Sequence, residues 1–174
     1  MFHIELQFEL DPGNGFDSEC GHLATQLTCS RLFTEALQEP LAQKAVQMET
    51  TTENGLIIKL QPWTLYAGSR SRLIISGKRL LDSIAPVLNH CSAIQTIRVV
   101  GFAHDVPYPR GAISYIDNWD TSARRSAEII RYLIWIHQLP AEKFQAVTLD
   151  YDKSVDSEEQ QESFPSSQAL VNQA

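Results

Sequence analysis

The sequence is short of cysteine, of positive charge and of long apolar runs. Its three cysteines, Cys20, Cys29 and Cys91, are scattered and show no CxxC spacing. An odd count so placed argues against a disulfide framework and against a zinc site. The expectation is buried free thiols, because unpaired cysteine packs as a small hydrophobe. No window approaches the roughly 18 consecutive apolar residues of a membrane-spanning helix. The first residues, Met1-Phe-His-Ile-Glu-Leu-Gln7, lack the basic start and apolar run of a secretory leader. Fourteen Lys and Arg face 21 Asp and Glu, for a net charge of −7. Nucleic acid is therefore not an expected partner. Internal repeats are also lacking.

The chain carries clear local patterns. Phe2 to Leu10 alternates apolar and polar residues, a half-buried strand that Asp11-Pro-Gly-Asn-Gly15 stops. Helical spacing follows from Asp17 to about Gln38, and Pro40 interrupts it. Leu41 to Met48 reads as a short helix and Glu49 to Gly55 as a polar loop. Leu56 to Leu60 is a strand that Pro62 closes, since proline has no N–H for the ladder. A helix is expected from Arg70 to His90, with Leu73, Leu80 or Leu81, Ile84 and Leu88 on its buried face and a kink or early end at Pro86. Ile94 to Phe102 is a β-branched strand. A polar loop, Ala103 to Asp117, leads to a helix from Asn118 to His137 with Ser126, Ile129, Leu133 and Ile136 facing the sheet. The last strand runs from Phe144 to Tyr151. Residues 153–174 are acidic and poor in apolar side chains, the composition of a disordered tail. Strand–helix–strand units of this kind give a two-layer α/β sandwich.

Residues 54–150 resemble the OmpA/MotB-like C-terminal domain. Asn54-Gly-Leu-Ile-Ile-Lys-Leu60 followed by Leu65-Tyr-Ala-Gly-Ser69 resembles its first strand and "F-x-x-G" entry. Ile97-Arg-Val-Val-Gly101 resembles the strand before its Gly-His-Thr-Asp loop. Asn118-Trp-Asp-Thr-Ser-Ala-Arg-Arg125 is similar to Asn-Trp-Glu-Leu-Ser-x-x-Arg, the form seen in the MotB flagellar stator branch, and Pro140-Ala-Glu-Lys-Phe144 completes the pattern. The resemblance implies a β-α-β-α-β core over residues 54–152, preceded by a strand–helix extension over 1–53. That extension is expected to add an edge strand or to mediate a dimer.

By this resemblance the chain is a non-covalent binder of peptidoglycan, with no catalytic turnover, cofactor or metal. The family grips the free carboxylate and amine of a diaminopimelate stem peptide with one Arg and one Asp. A planar guanidinium takes a carboxylate through two parallel hydrogen bonds, and a carboxylate holds an ammonium. The family Arg falls on Arg125, and N–H groups of the helix start are expected to add positive field beside the ligand. The family Asp position holds His104, which leaves Asp105 to meet the ammonium. Asn118, Trp119 and Ser122 would shape the pocket. Ala103 stands where the family has Thr, and the family's glycines are missing after the last strand. These departures support an alternative, a diverged domain that has lost its ligand and serves as a structural or protein-interaction module. His104 beside Asp105 also suits acid–base work, but no nucleophile or third ligand stands at a fixed spacing. The resemblance further implies homodimers, a membrane motor or envelope protein as partner, and a place in the cell envelope or periplasm. The lack of a leader or spanning segment within the chain leaves the cytoplasm open.

Overall fold

The computed structural model describes residues 4–11, 18–51, 55–68, 70–103 and 115–150. Its alternating segments become five strands: β1 (Ile4–Leu10), β2 (Val46–Thr50), β3 (Gly55–Leu60), β4 (Ile94–Ala103) and β5 (Phe144–Asp150). Helices are α1 (Ser18–Ala36), α2 (Gln38–Ala42), α3 (Pro62–Leu65), α4 (Ile75–His90) and α5 (Tyr115–His137), with a 3-10 turn at Ala141–Lys143. The strands form one sheet in the order β2-β3-β1-β4-β5. β4 and β5 are parallel, and the remaining pairs are antiparallel. The expected two-layer α/β sandwich is what forms.

Period-2 patterning decides which face is buried. Ile4, Leu6 and Phe8 on β1 lie opposite Gly101, Val99 and Ile97 on β4, and opposite Leu60, Ile58 and Leu56 on β3. All these apolar side chains are buried. They meet Cys29, Phe33 and Leu37 of α1, Leu81, Ile84 and Leu88 of α4, and Ile129 and Leu133 of α5. Each such burial contributes about 1.5–3 kcal/mol before the entropy of ordering is subtracted.

The first strand is not at an edge. β1 pairs on both sides, so the edges are β2 and β5. Its unbroken alternation serves the middle of the sheet, where both ladders are filled and no free edge remains for association. Two of the three cysteines also depart from expectation, and the Cys20 side chain lies outside the described residues. Cys29 points inward from α1, Cys91 closes α4, and the two form a disulfide with Cα atoms 6.0 Å apart. Spacing along the chain could not show this, because the packing of α1 on α4 creates the pair.

Other differences have local causes. Val46 to Thr50 is a strand rather than the end of a short helix. Lys44 adopts a positive φ of 56°, which breaks the helical path ahead of it. Residues 70–74 are not helical. Tyr66 and Leu73 form an isolated bridge there, and α4 begins only at Ile75. Pro86 does not end α4, which continues to His90. It lies on the exposed side, where the Asp82 carbonyl it leaves without a helical donor belongs to an exposed residue. Ile136 is exposed, and the buried stripe of α5 is instead Ser122, Arg125, Ser126, Ile129 and Leu133.

Candidate functional site

Arg125 lies on that buried stripe. α5 begins at Tyr115, three residues earlier than the sequence signals suggest. Ten residues at 1.5 Å each place Arg125 about 15 Å along the axis, well past the first turn where the helix dipole acts. The expected field from helix N-terminal N–H groups therefore does not reach it.

As a residue Arg125 is only 3% exposed. Nη2 donates to the carbonyl of Gly68 at 2.8 Å and Nε to that of Arg70 at 3.2 Å. The guanidinium carbon stands 4.8 Å from the centre of the Tyr66 ring, a cation–π distance. Tyr66 in turn donates its hydroxyl to the main-chain carbonyl of Arg125 at 2.8 Å. Burial pushes the Tyr66 phenol up and the neighbouring Arg125 charge partly opposes it. Burial also lowers Arg125 from its ordinary value.

Backbone geometry prepares this arrangement. The Tyr66–Leu73 bridge closes a small loop, and Gly68 turns it with a φ of +57° that L side chains rarely adopt. Both receiving carbonyls belong to that loop. Gly77 lets α4 pack directly on α3, since a Cβ there would meet the Leu65 Cα at 2.8 Å.

The other expected site residues are placed unequally. Ser122 is buried and faces β4. A Cβ at Gly101 would collide with its hydroxyl and lie 2.9 Å from that of Ser126. Neither serine hydroxyl has a hydrogen-bond partner among the described residues. Their smallness therefore lets α5 approach the strand closely. Trp119 is 42% exposed, near the start of α5. Asp120 and Arg124 pair at 2.8 Å on the solvent side. The Asn118 side chain, His104 and Asp105 lie outside the described residues. Among the described residues, the structure brings Tyr66, Gly68 and Arg70 to Arg125, and sequence reading missed all three as site residues. The available signal was Tyr66 itself, because a buried tyrosine hydroxyl needs an acceptor.

Among the described residues no group of three or more His, Cys, Asp or Glu could hold a metal ion. No helix there is long and apolar enough to cross a membrane. The arrangement is a fixed cation beside a loop, suited to receiving an anion or to holding the loop in place.

Comparison with known proteins bears on the choice. The sequence profile of the OmpA family matches residues 65–167, more than half of the chain. This match begins later and ends later than the resemblance read from the motifs. Among solved structures, a MotB-like protein from Desulfovibrio vulgaris superposes with a TM-score of 0.59 at 19% identity, over 74% of this chain and 79% of that one. The cell wall anchor of the T6SS from Pseudomonas aeruginosa superposes with a TM-score of 0.52, also at 19% identity, over 68% and 78%. At such identities the likeness is one of fold. Among curated proteins there is no match.

Proposed function

The chain belongs to the OmpA family, and we propose that it is a non-covalent peptidoglycan-binding module that anchors in the cell envelope. It would bind without turnover, taking the diaminopimelate carboxylate on Arg125 and the ammonium on Asp105. His104, Asn118 and Trp119 would line the approach, and Ser122 would set the distance between α5 and β4. The observation that carries this reading is Arg125, at the family's arginine position and pinned by two carbonyls and an aromatic face. A guanidinium fixed in advance loses less freedom when it meets a planar carboxylate.

The disulfide supports a place outside the reducing cytoplasm, because such bonds persist in oxidising compartments. The cell envelope or periplasm is the location we propose. A flagellar-stator-like role, homodimers and a membrane motor or envelope protein as partner belong to the same proposal. So does the organisation of the chain, with residues 1–53 as a strand–helix segment, 54–152 as the family unit and 153–174 as an acidic tail.

One observation favours the alternative. Arg125 is almost fully buried, as a residue kept only to clamp the 66–73 loop would be. Co-sedimentation with isolated sacculi separates the two. Pelleting by the wild type that Asp105→Asn abolishes, with the thermal midpoint unchanged, is the expected result. No pelleting by a folded wild type would leave the clamp and a structural or protein-interaction role.

A further inference from the structure

Away from that reading, the charge of the chain is segregated. From Asn54 to Leu81 it carries Lys59, Arg70, Arg72, Lys78 and Arg79 and no acidic residue, within a chain of net charge −7. Lys59 is paired with Glu49 at 2.8 Å on the sheet. Among the described residues no carboxylate lies within salt-bridge distance of the other four, and all four are exposed.

The fold gathers them. The Tyr66–Leu73 bridge closes a short loop on which Arg70 and Arg72 are exposed. Ser76 donates its hydroxyl to the Thr64 carbonyl at 2.8 Å, and Ile74 N–H donates to Leu65 at 2.9 Å. These bonds set α3 against the first turn of α4. Two bulky apolar side chains stand out from this junction, Trp63 at 57% exposed and Ile75 at 72%. Lys78 lies one turn beyond Ile75, with its ammonium 6.0 Å from the Tyr132 ring centre. Arg79 lines a concavity with Glu35 and Glu39, so it adds least to the positive field.

We propose that this surface docks on an anionic phospholipid bilayer. A tryptophan and an isoleucine projecting among arginines and a lysine match the headgroup boundary, where an indole ring sits and cations meet lipid phosphates. An acidic protein would be met by the cations alone and would gain less from Trp63 and Ile75. Apolar insertion and charge act together here, as in peripheral anchors that lie on a membrane without crossing it.

The test is flotation of the full chain with vesicles of phosphatidylcholine alone, or of phosphatidylcholine and phosphatidylglycerol in equal parts. Binding is expected only to the anionic vesicles and weakens with added salt. Arg70→Ser with Arg72→Ser lowers partitioning by about 30-fold, about five-fold for each cation. Trp63→Ala weakens it independently. These side chains are exposed, and an unchanged circular dichroism spectrum confirms that each variant is folded. Absence of flotation, or flotation that survives loss of both arginines and of Trp63, overturns the proposal. Capture of a polyglutamate peptide by the same arginines without flotation overturns it too, in favour of an acidic protein partner.

Discussion

The two long helices that flank α4 are fastened by different means. α1 is held covalently and by apolar contact. Cys29 is bonded to Cys91, Phe33 stacks on Phe8 with ring centres 5.1 Å apart, and Gln26 reaches the carbonyls of Thr51 and Gly55. α5 is held at its middle by a buried charge and close backbone approach, through Arg125, Tyr66 and the Gly101 seam. Near its end it is held by an exposed set in which Asp82 accepts from Tyr132 at 2.8 Å and contacts His137 Nε2 at 2.8 Å. The helix without a candidate ligand residue is locked outright. The helix that carries one depends on polar groups that could also serve a ligand.

Breaking the lock should cost most. Cys29→Ala opens a loop closed over a sequence separation of 62, and chain entropy puts the loss at about 4 kcal/mol. Urea unfolding in the presence and absence of a reductant measures it, and the variant should be insensitive to the reductant. Arg125→Ala comes next, at about 3 kcal/mol, because two carbonyls lose charged donors and Tyr66 loses its cation. A loss near zero in the same experiment would make the clamp irrelevant to the fold.

Gly101→Ala tests the seam. The added methyl meets both serine hydroxyls and the Ser122 carbonyl at 3.0 Å, an overpacking worth about 1–3 kcal/mol. Pairing it with Ser126→Ala, which removes one of the colliding hydroxyls, should recover part of the loss. The smallest effect belongs to the exposed set. Tyr132→Phe should change neutral-pH stability by under about 1 kcal/mol.

Its signature is alkaline. Burial, then the bond to Asp82, push the Tyr132 phenol up from 10.0 to about 12. The unfolded chain loses that proton first, so the folded state binds more protons between those values. Stability therefore falls as pH rises through that window. Tyr132→Phe should flatten the decline in part, and Tyr66→Phe should flatten it further because burial raises that phenol as well.

Most of the architecture was legible wherever one period ruled a long segment. β1, β3, β4, α1 and α5 follow their alternation or helical spacing to within three residues at the ends given by the structure. Short elements with mixed signals were not legible. Val46 to Thr50 has too few apolar positions to mark a strand, and it gains its ladder from β3 rather than from its own composition. The central place of β1 and the Cys29–Cys91 bond belong to the same class, since both are made by partners distant in sequence. At the candidate site, the family resemblance pointed to Arg125, which the structure buries. What surrounds it depends on Gly68 and the Tyr66–Leu73 bridge, a backbone conformation that no side-chain period reports.

The position of β1 has a consequence for how the molecule comes into being. Ile4 pairs with Leu60 on one side and with Gly101 on the other. Neither neighbour exists when the first strand leaves the ribosome. The second ladder of β1 can close only after β4 has been made, and until then an apolar ribbon waits with that side open. Pairing across such separations slows folding far more than it weakens the folded state. The time of greatest exposure to aggregation therefore falls during synthesis, and ends when the fourth strand arrives.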